Sequence, residues 1–470
     1  MSLKIPVMKN ILKSIFILSV SSLTLLFSCG GKEDPGTELD QINNWIYANM
    51  DFYYFWTDEI PSKPETNVDP EDFFESLLSS KDRFSFIYDD YEELINLLNG
   101  VSLESGFEFK LYLEEAGSSN VIMQLSYIKT ESPADQLGMK RGDIIYQING
   151  TQLTTENYQS LLSSLNSTYN LTYRRFNFET EEFDDQGSVS LTPVVFSENP
   201  FLLDSIYDFD GKKVGYLVYT FFSPGSNFIY DEQMDAIFSK FKSAGIQDFV
   251  LDLRFNSGGS ETSVRNLTSL MVKNATSSDL VFKKTYNEQV EDVILDDPDL
   301  GEDFLNVHFL DKSENIGAQL STGTVYVLTS SRSASASEVT INSLKPFMDV
   351  YVVGDTTVGK DVGSITINDE DSDINDWAIQ PIVVKLVNNA GQDYPNGFYP
   401  DLVLEDNYLI LRPLGDIEEP LLSGALAAIG VLTARVDIPK GEPIRQVYSS
   451  LDKKPWSGKF LLEENQILQE

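Results

Sequence analysis

Three short loops in the second half of the sequence carry residues that could perform acyl-transfer chemistry. The first, residues 251–259, reads Leu-Asp-Leu-Arg-Phe-Asn-Ser-Gly-Gly, so a buried strand pattern runs into a Gly-Gly turn and then a helix. Glycines leave backbone N–H groups bare, and bare N–H groups can hold an oxyanion. A strand followed by two glycines is also ordinary turn chemistry, so this loop alone gives only a candidate anion site.

The second loop, residues 331–338, reads Ser-Arg-Ser-Ala-Ser-Ala-Ser-Glu between a predicted strand and a predicted helix. Ser335 and Glu338 have the spacing of a capping box, which explains the pattern by helix capping alone. A serine at a strand-to-helix turn is also where a nucleophile lies exposed, with the next N–H available to an oxyanion. Both interpretations of Ser335 stay open at this point.

The third loop places Lys360 between Gly359 and Asp361. The chain has one His, His308, which we interpret as structural, so a serine nucleophile needs another base. A lysine can serve when burial disfavours its ammonium form, whereas an isolated lysine is more commonly a surface charge.

The elements around these loops indicate an α/β layout. Strands are predicted at residues 249–253, 325–328 and 350–353, and a helix at 336–344 separates the last two. Residues 230–242 carry apolar side chains at helical spacing. The alternation predicts a parallel sheet covered by helices.

Residues 101–170 have a different pattern, with alternating strands, Ser132-Pro133-Ala134, then Gly142-Asp143-Ile144-Ile145 and Asn149-Gly150. This run resembles a PDZ domain, which takes a peptide's C-terminal end by β-strand addition. The resemblance implies peptide-binding residues, which are Gly106, Phe107, Glu108 and Phe109. Glu108 would place a negative charge close to the terminal carboxylate of the peptide.

The order and spacing of the three loops resemble the C-terminal processing peptidases, also called tail-specific proteases. In that family the nucleophile is a Ser in a Ser-Ala-Ser-Ala-Ser-Glu run, and the base is a Lys in Gly-Lys 25 residues later, as Lys360 follows Ser335. Residues 251–259 and the later Gly397-Phe398-Tyr399-Pro400-Asp401 also match the family's pattern. The resemblance covers most of residues 100–405.

The resemblance implies a crotonase/Clp-protease-like α/β spiral with an inserted or preceding PDZ-like, β-rich domain and a small N-terminal helical domain. It also implies that Ser335 attacks the peptide carbonyl, that Lys360 takes its proton, and that the N–H groups of Gly258 and Ala336 stabilise the oxyanion. Family members often place a Gln four residues after the Lys to orient it; here that position is Ser364, with Thr366 as a substitute. Asp361 also departs from the usual Gly-Lys-Gly.

Composition narrows the function classes. The 470 residues carry 34 Lys and Arg against 73 Asp and Glu, a net charge of −39 that repels nucleic-acid backbones. One Cys and one His exclude a zinc site of the Cys₄ or Cys₂His₂ type and a multi-His metal site. We expect no metal and no cofactor.

The N-terminus has the pattern of an export signal. Residues 1–28 combine a lysine-bearing start with a short apolar stretch, and Leu26-Phe27-Ser28-Cys29 resembles a lipobox in which Cys29 is lipidated. An ordinary signal peptide with an incidental Cys is the alternative. The acidic residues that follow Cys29 resemble a tag that sends some lipoproteins to the cell surface. We therefore expect an outer-membrane lipoprotein of a Gram-negative cell, which its lipid alone holds in the membrane, with the cell surface as one expected location.

The sequence therefore predicts the following segments, all numbered on this chain: signal peptide 1–28, tether 29–38, helical domain 39–100, PDZ-like domain 101–170, connecting hairpin 171–204, Ser/Lys peptidase core 205–435 and C-terminal extension 436–470. The predicted function is a lipid-anchored serine endopeptidase that cleaves proteins or peptides near free C-termini. The alternatives are an inactive peptide-binding lipoprotein of the same fold and a general peptide-scavenging surface protease. The oligomeric state stays open.

Overall fold

The computed structural model describes residues 36–62, 64–369, 372, 374–432, 445–453 and 460–462. The predicted signal peptide and Cys29 lie outside these residues. Within the described ranges, no helix combines the length and apolar character that crossing a membrane requires.

The N-terminal domain is built around an amphipathic helix. Its elements are α1 (Glu38–Tyr53), α2 (Pro70–Ser76), β1 (Phe86–Tyr88) and α3 (Tyr91–Leu98). Thr37 caps α1 by accepting the N–H of Asp40, and the buried face of α1 packs on α2. β1 pairs with a strand of the peptidase core, so the domain predicted as helical also contributes a strand to the core.

The PDZ domain is built on one large antiparallel sheet around its own apolar core, and its first and last strands pair with each other in a separate two-stranded sheet. Its elements are β2 (Val101–Glu104), β3 (Phe107–Leu113), β4 (Val121–Ile128), α4 (Pro133–Gln136), β5 (Ile144–Ile148), β6 (Thr151–Gln152), α5 (Tyr158–Ser163), β7 (Tyr169–Asn177), β8 (Glu182–Leu191) and β9 (Val194–Ser197). The boundary predicted at residue 170 falls inside β7. Because β7 pairs with both β5 and β8, the acidic hairpin continues the PDZ sheet up to residue 191.

The peptidase core holds two six-stranded sheets. Its strands are β10 (Phe201–Phe209), β11 (Lys212–Tyr219), β12 (Asp248–Asp252), β13 (Gly258–Ser260), β14 (Leu280–Tyr286), β15 (Asn306–His308), β16 (Thr324–Thr329), β17 (Asp349–Gly354), β18 (Val362–Ser364), β19 (Ile367–Asn368), β20 (Ala378–Gln380), β21 (Ile382–Val387) and β22 (Leu402–Val403). Its helices are α6 (Ile229–Ala244), α7 (Glu261–Met271), α8 (Glu288–Asp296), α9 (Gly301–Leu305), α10 (Ala336–Leu344) and α11 (Pro420–Ile429).

The first sheet has the order β10-β11-β12-β16-β17-β22, parallel from β11 onward. Helices α6, α7 and α10 pack in the apolar cluster on one face, and α11 packs on the other. The α/β fold is therefore confirmed. Because β12, β16 and β17 are adjacent and parallel, the loops that follow them meet at one edge.

Two further strands come from the end of the chain. β23 (Gln446–Ser449) pairs antiparallel with β3 of the PDZ domain. β24 (Phe460–Leu462) lies in the second sheet, whose order is β13-β24-β18-β21-β14-β15. The extension that showed little pattern in the sequence thus completes both sheets.

Candidate active site

Ser335 stands at the strained turn between β16 and α10. Its φ of +55° and ψ of −117° lie in a region that L-residues rarely occupy. Such strain costs on the order of 1–3 kcal/mol and concentrates at functional sites. Ser335 is fully buried. Ser335 and Glu338 form a capping box at the start of α10, in which the N–H of Ser335 donates to Oε2 of Glu338. A cap does not need these strained dihedral angles, so helix capping alone does not explain this serine.

The carboxylate of Glu338 joins the Ser335 and Lys360 loops. Its Oε2 accepts the backbone N–H of Ser335 at 2.9 Å and that of Lys360 at 2.8 Å. Its Oε1 accepts the N–H of Gly359 at 2.6 Å and the hydroxyl of Thr357. Burial raises the pKa of Glu338, while these four hydrogen bonds act in the opposite direction. The sequence pattern suggested only a local capping box, and the longer-range role of Glu338 was missed.

Lys360 is fully buried beside the N-terminal domain. Its Nζ lies 5.4 Å from the ring centroid of Phe84, which packs with Val362 and Ile382. The guanidinium of Arg83 donates to the carbonyl of Gly359 at 2.7 Å. Arg83 and Phe84 belong to the N-terminal domain, so this domain helps to position the lysine loop. Nothing in the sequence had indicated a role for either residue.

Two backbone features fix the path of the lysine loop. The N–H of Val358 donates to the carbonyl of Ser333 at 3.1 Å, which ties this loop directly to the serine loop. Gly359 has a φ of +82°, and a Cβ there would lie 2.4 Å from the carbonyl oxygen of Pro395. Only glycine satisfies both the dihedral angle and the close approach.

The two candidate oxyanion donors, the N–H groups of Gly258 and Ala336, differ in whether they already donate a hydrogen bond within the chain. The N–H of Gly258 donates to Oδ1 of Asn256 at 2.9 Å. Ala336 is the first residue of α10, and an N–H at that position has no acceptor within its own helix. The Gly258 N–H is thus occupied by its own loop in this structure.

Arg254 ties the Gly-Gly loop to Glu419, the residue that precedes α11. Its guanidinium is fully buried and forms a two-pronged pair with Glu419 at 2.6 and 2.9 Å. It also lies 2.8 Å from the carboxylate of Asp252. Paired charges of this kind fix the geometry of a loop, because removing one partner leaves the other buried and uncompensated.

Ser364 and Thr366 both contact a glutamine from another strand. Gln380 donates its amide to Ser364 Oγ at 3.1 Å and accepts the hydroxyl of Thr366 at 2.6 Å. All three side chains are buried. A glutamine is therefore present at this end of β18, although the chain supplies it from β20.

Asp361 pairs with a lysine of β21. Its carboxylate lies 3.4 Å from Nζ of Lys385, which also pairs with Asp393 at 2.8 Å. Burial raises the pKa of Asp361, and Lys385 opposes that effect. The negative charge next to Lys360 is thus balanced by a cation that the sequence did not indicate.

The predicted peptide-binding residues Gly106, Phe107, Glu108 and Phe109 lie at the start of β3. Glu108 is buried, with its carboxylate 3.3 Å from Nζ of Lys129. A partner cation therefore accompanies the charge that was expected to face a ligand.

His308 lies in β15, in the strand at the far end of the second sheet from β13. It lines a cavity of about 400 Å³ together with Arg265 and Lys284. In the described ranges, no group of acidic, His or Cys side chains could hold a metal ion.

Comparison with known proteins matches three regions of the chain to family models. Residues 213–404 match peptidase family S41, residues 41–86 match the peptidase S41 N-terminal domain, and residues 124–175 match a PDZ domain. No curated protein sequence matches the chain.

One solved structure gives the same result for the fold. A Bacteroides fragilis protein assigned to the S41 proteases is 25% identical, with 86% of this chain and 100% of that chain covered and a TM-score of 0.69. A photosystem II D1 C-terminal processing protease is 19% identical over 83% of this chain and 98% of its own, with a TM-score of 0.46.

Proposed function

Because the chain belongs to peptidase family S41, we propose that it is a serine endopeptidase with Ser335 as nucleophile and Lys360 as base. The observation that carries this proposal is the shared oxygen of Glu338, which holds the backbones of both residues at one point. The strained backbone of Ser335 is the second support, because a capping serine does not need a φ of +55°.

In the proposed reaction the Ser335 hydroxyl attacks the carbonyl carbon of the substrate, and its proton passes to the neutral amine of Lys360. The tetrahedral oxyanion accepts hydrogen bonds from the N–H groups of Gly258 and Ala336. The Gly258 N–H must leave Asn256 to do so. Lys360 then protonates the departing amine, and water hydrolyses the acyl-serine by the same proton route.

We propose peptides with free C-termini as substrates, delivered by the PDZ domain through strand addition. Lipidation of Cys29 would hold the enzyme at the outer membrane. Incorporation of a labelled fatty acid into the natural chain, and its loss in Cys29→Ser, tests the anchor separately from activity.

The decisive experiment is labelling with a fluorophosphonate, which reacts only with an activated serine. We expect label on Ser335, no label in Ser335→Ala, and strongly slowed labelling in Lys360→Met. If neither the folded natural chain nor a folded chain ending at residue 444 takes label, the inactive peptide-binding alternative is favoured.

Tail specificity needs a second measurement. One unfolded protein substrate is digested with and without its last few residues, at equal concentration. Faster cleavage of the intact substrate supports C-terminal processing, and equal rates favour a general scavenging protease.

A further inference from the structure

The end of the chain occupies the outer edge of the PDZ sheet. We call residues 445–462 the tail, of which 445–453 and 460–462 are described. In the tail, β23 pairs antiparallel with β3, with Tyr448 opposite Leu111 and Ser449 opposite Lys110. PDZ domains bind peptides by adding a strand to an exposed edge, so β23 takes the position of such a peptide.

Side chains of the tail reinforce this strand pairing. The hydroxyl of Ser450 accepts the N–H of Phe109 at 2.9 Å and donates to the Glu108 carboxylate. The ring of Tyr448 stacks on Phe109 with centroids 5.9 Å apart and approaches Tyr158 of α5 at 6.1 Å. Two of the four predicted peptide-binding residues therefore contact the tail through side-chain or backbone atoms.

The tail next contacts the loops of the candidate active site. The carboxylate of Asp452 pairs with the guanidinium of Arg332 at 2.8 Å, three residues before Ser335. Leu451 is buried in the apolar cluster that contains Phe255 of the Gly-Gly loop. The serine loop is thus ion-paired with the tail, and the Gly-Gly loop shares an apolar cluster with the tail.

The last described part of the tail lies between β13, which begins at Gly258, and β18, which begins two residues after Lys360. β24 pairs in parallel with β13, which places Phe460 opposite Gly258. On its other side, Leu462 lies opposite Ser364 of β18. An extended substrate that hydrogen-bonds to either strand at this place would compete with β24 for the same backbone groups.

We propose that the described strands of the tail act as an internal peptide ligand: β23 occupies the PDZ edge, β24 occupies the slot between β13 and β18, and together they keep the peptidase in a resting state. The part of this proposal that concerns the slot rests on the proposed function. A tethered segment acts at an effective concentration in the millimolar range, so even weak pairing excludes a dilute external peptide. Substrates must displace the tail to reach Ser335.

Peptide binding tests the occupancy without any need for activity. A chain that ends at residue 444 is titrated with a fluorescent synthetic peptide of residues 445–462, and the full chain is titrated in parallel. We expect saturable binding to the shortened chain and at least roughly tenfold weaker binding to the full chain, because the tethered copy competes. Equal affinity for both chains, or no binding to a folded shortened chain, would overturn the proposal.

A substitution in the full chain covers the case in which the shortened chain does not fold. Tyr448→Ala with Ser450→Ala removes the stacking and the hydroxyl that bonds Phe109, and Gln446→Ala, an exposed tail position, serves as the matched control. Amide hydrogen exchange at Phe109 should accelerate in the double variant and stay unchanged in the control. Unchanged exchange in the double variant would show that the tail does not hold this edge.

Hydrolysis of an unfolded protein then tests the resting state. We expect the shortened chain and the double variant to be roughly tenfold or more faster than the full chain, and the added tail peptide to restore inhibition competitively. Equal rates in all chains would overturn the resting-state proposal and leave the function intact. Inactivity of every chain, with tail binding preserved, would refute the proposed function while the internal ligand stands.

Discussion

The backbone N–H groups of Ser335 and Lys360 donate to one and the same oxygen atom, Oε2 of Glu338, at 2.9 and 2.8 Å. The carboxylate is fully buried on the first turn of α10, so its position is set by the helix. A shift of Glu338 therefore moves both loops together, and the relative placement of nucleophile and base depends on this one side chain.

Replacing Glu338 by Gln should reduce catalysis far more than it reduces stability. The amide nitrogen cannot accept a hydrogen bond, so at least one of the donors on the carboxylate loses its acceptor. We expect kcat to fall roughly 100-fold, because displacements of about 1 Å cost that much, and the free energy of unfolding to fall by about 1–3 kcal/mol. Thr340→Val, which removes one buried hydroxyl two residues later in α10, is the control. An unchanged kcat in a folded Glu338→Gln variant would refute the bridging role.

Substitutions of Ser335 should separate strain from chemistry. Both Ser335→Gly and Ser335→Ala should lose activity by about 10⁶ in kcat. The Gly variant should be more stable than the Ala variant by roughly 1 kcal/mol, because glycine accepts a φ of +55° without strain. At Ser343 of the same helix the order should reverse, with Ala the more stable. Urea unfolding of the four variants checks this, and the same order at both positions would contradict the strain at Ser335.

The pH profile of activity should respond to the cation beside Asp361. Lys385→Met leaves the Asp361 carboxylate unbalanced next to Lys360. Without the cation, the negative charge of Asp361 favours the protonated amine of Lys360. The rising limb of kcat/KM should therefore move to higher pH by about half a unit at low salt. Asp361→Asn in the same chain should reverse the shift, and Lys283→Met, at an exposed position of β14, should leave the limb in place. A shift that Asp361→Asn does not reverse would exclude this electrostatic cause.

The free energy of unfolding should decrease between about pH 4 and pH 6, because the buried Asp231 keeps its proton in this range while the unfolded chain loses it. Burial raises the pKa of Asp231 to about 6, and Ser263 donates to its Oδ1 at 2.8 Å. A carboxyl whose folded pKa is raised stabilises the fold below its unfolded pKa, and this contribution is lost as the pH rises through the folded value.

Asp231→Asn keeps the acceptor for Ser263 and removes the titration. Relative to the natural chain, this variant should gain up to about 3 kcal/mol of unfolding free energy between pH 4 and pH 7.5. Asp235→Asn is the control, because Asp235 lies in the same helix as Asp231 and pairs with Lys312. Parallel stability curves for Asp231→Asn and the natural chain would disprove the shift.

The sequence was most informative where function depends on local spacing. The serine loop, the lysine loop and the Gly-Gly loop each follow a parallel strand, so their meeting at one edge could be predicted from strand order alone. Glu338 was visible only as a capping residue, because its contacts with Gly359 and Lys360 cross more than 20 positions of sequence.

Other contributions to the site had no local signal at all. Gln380 reaches Ser364 from a different strand, and Phe84 reaches Lys360 from a different domain. The tail carries little apolar alternation, and its strands exist because partners already present offer unpaired edges. Pattern analysis detects elements that bury their own face, and it does not detect a segment whose structure depends on the surface it joins.

The hydrogen bond from Arg83 to the carbonyl of Gly359 spans 276 positions of the chain. Closing a loop of this length costs conformational entropy, although the cost grows only slowly with length. The donor belongs to the N-terminal domain and the acceptor to the lysine loop, so the two regions share one restraint. A chain cut anywhere between residues 83 and 359 loses the covalent connection between them, and the lysine loop then keeps this restraint only while the two fragments stay associated.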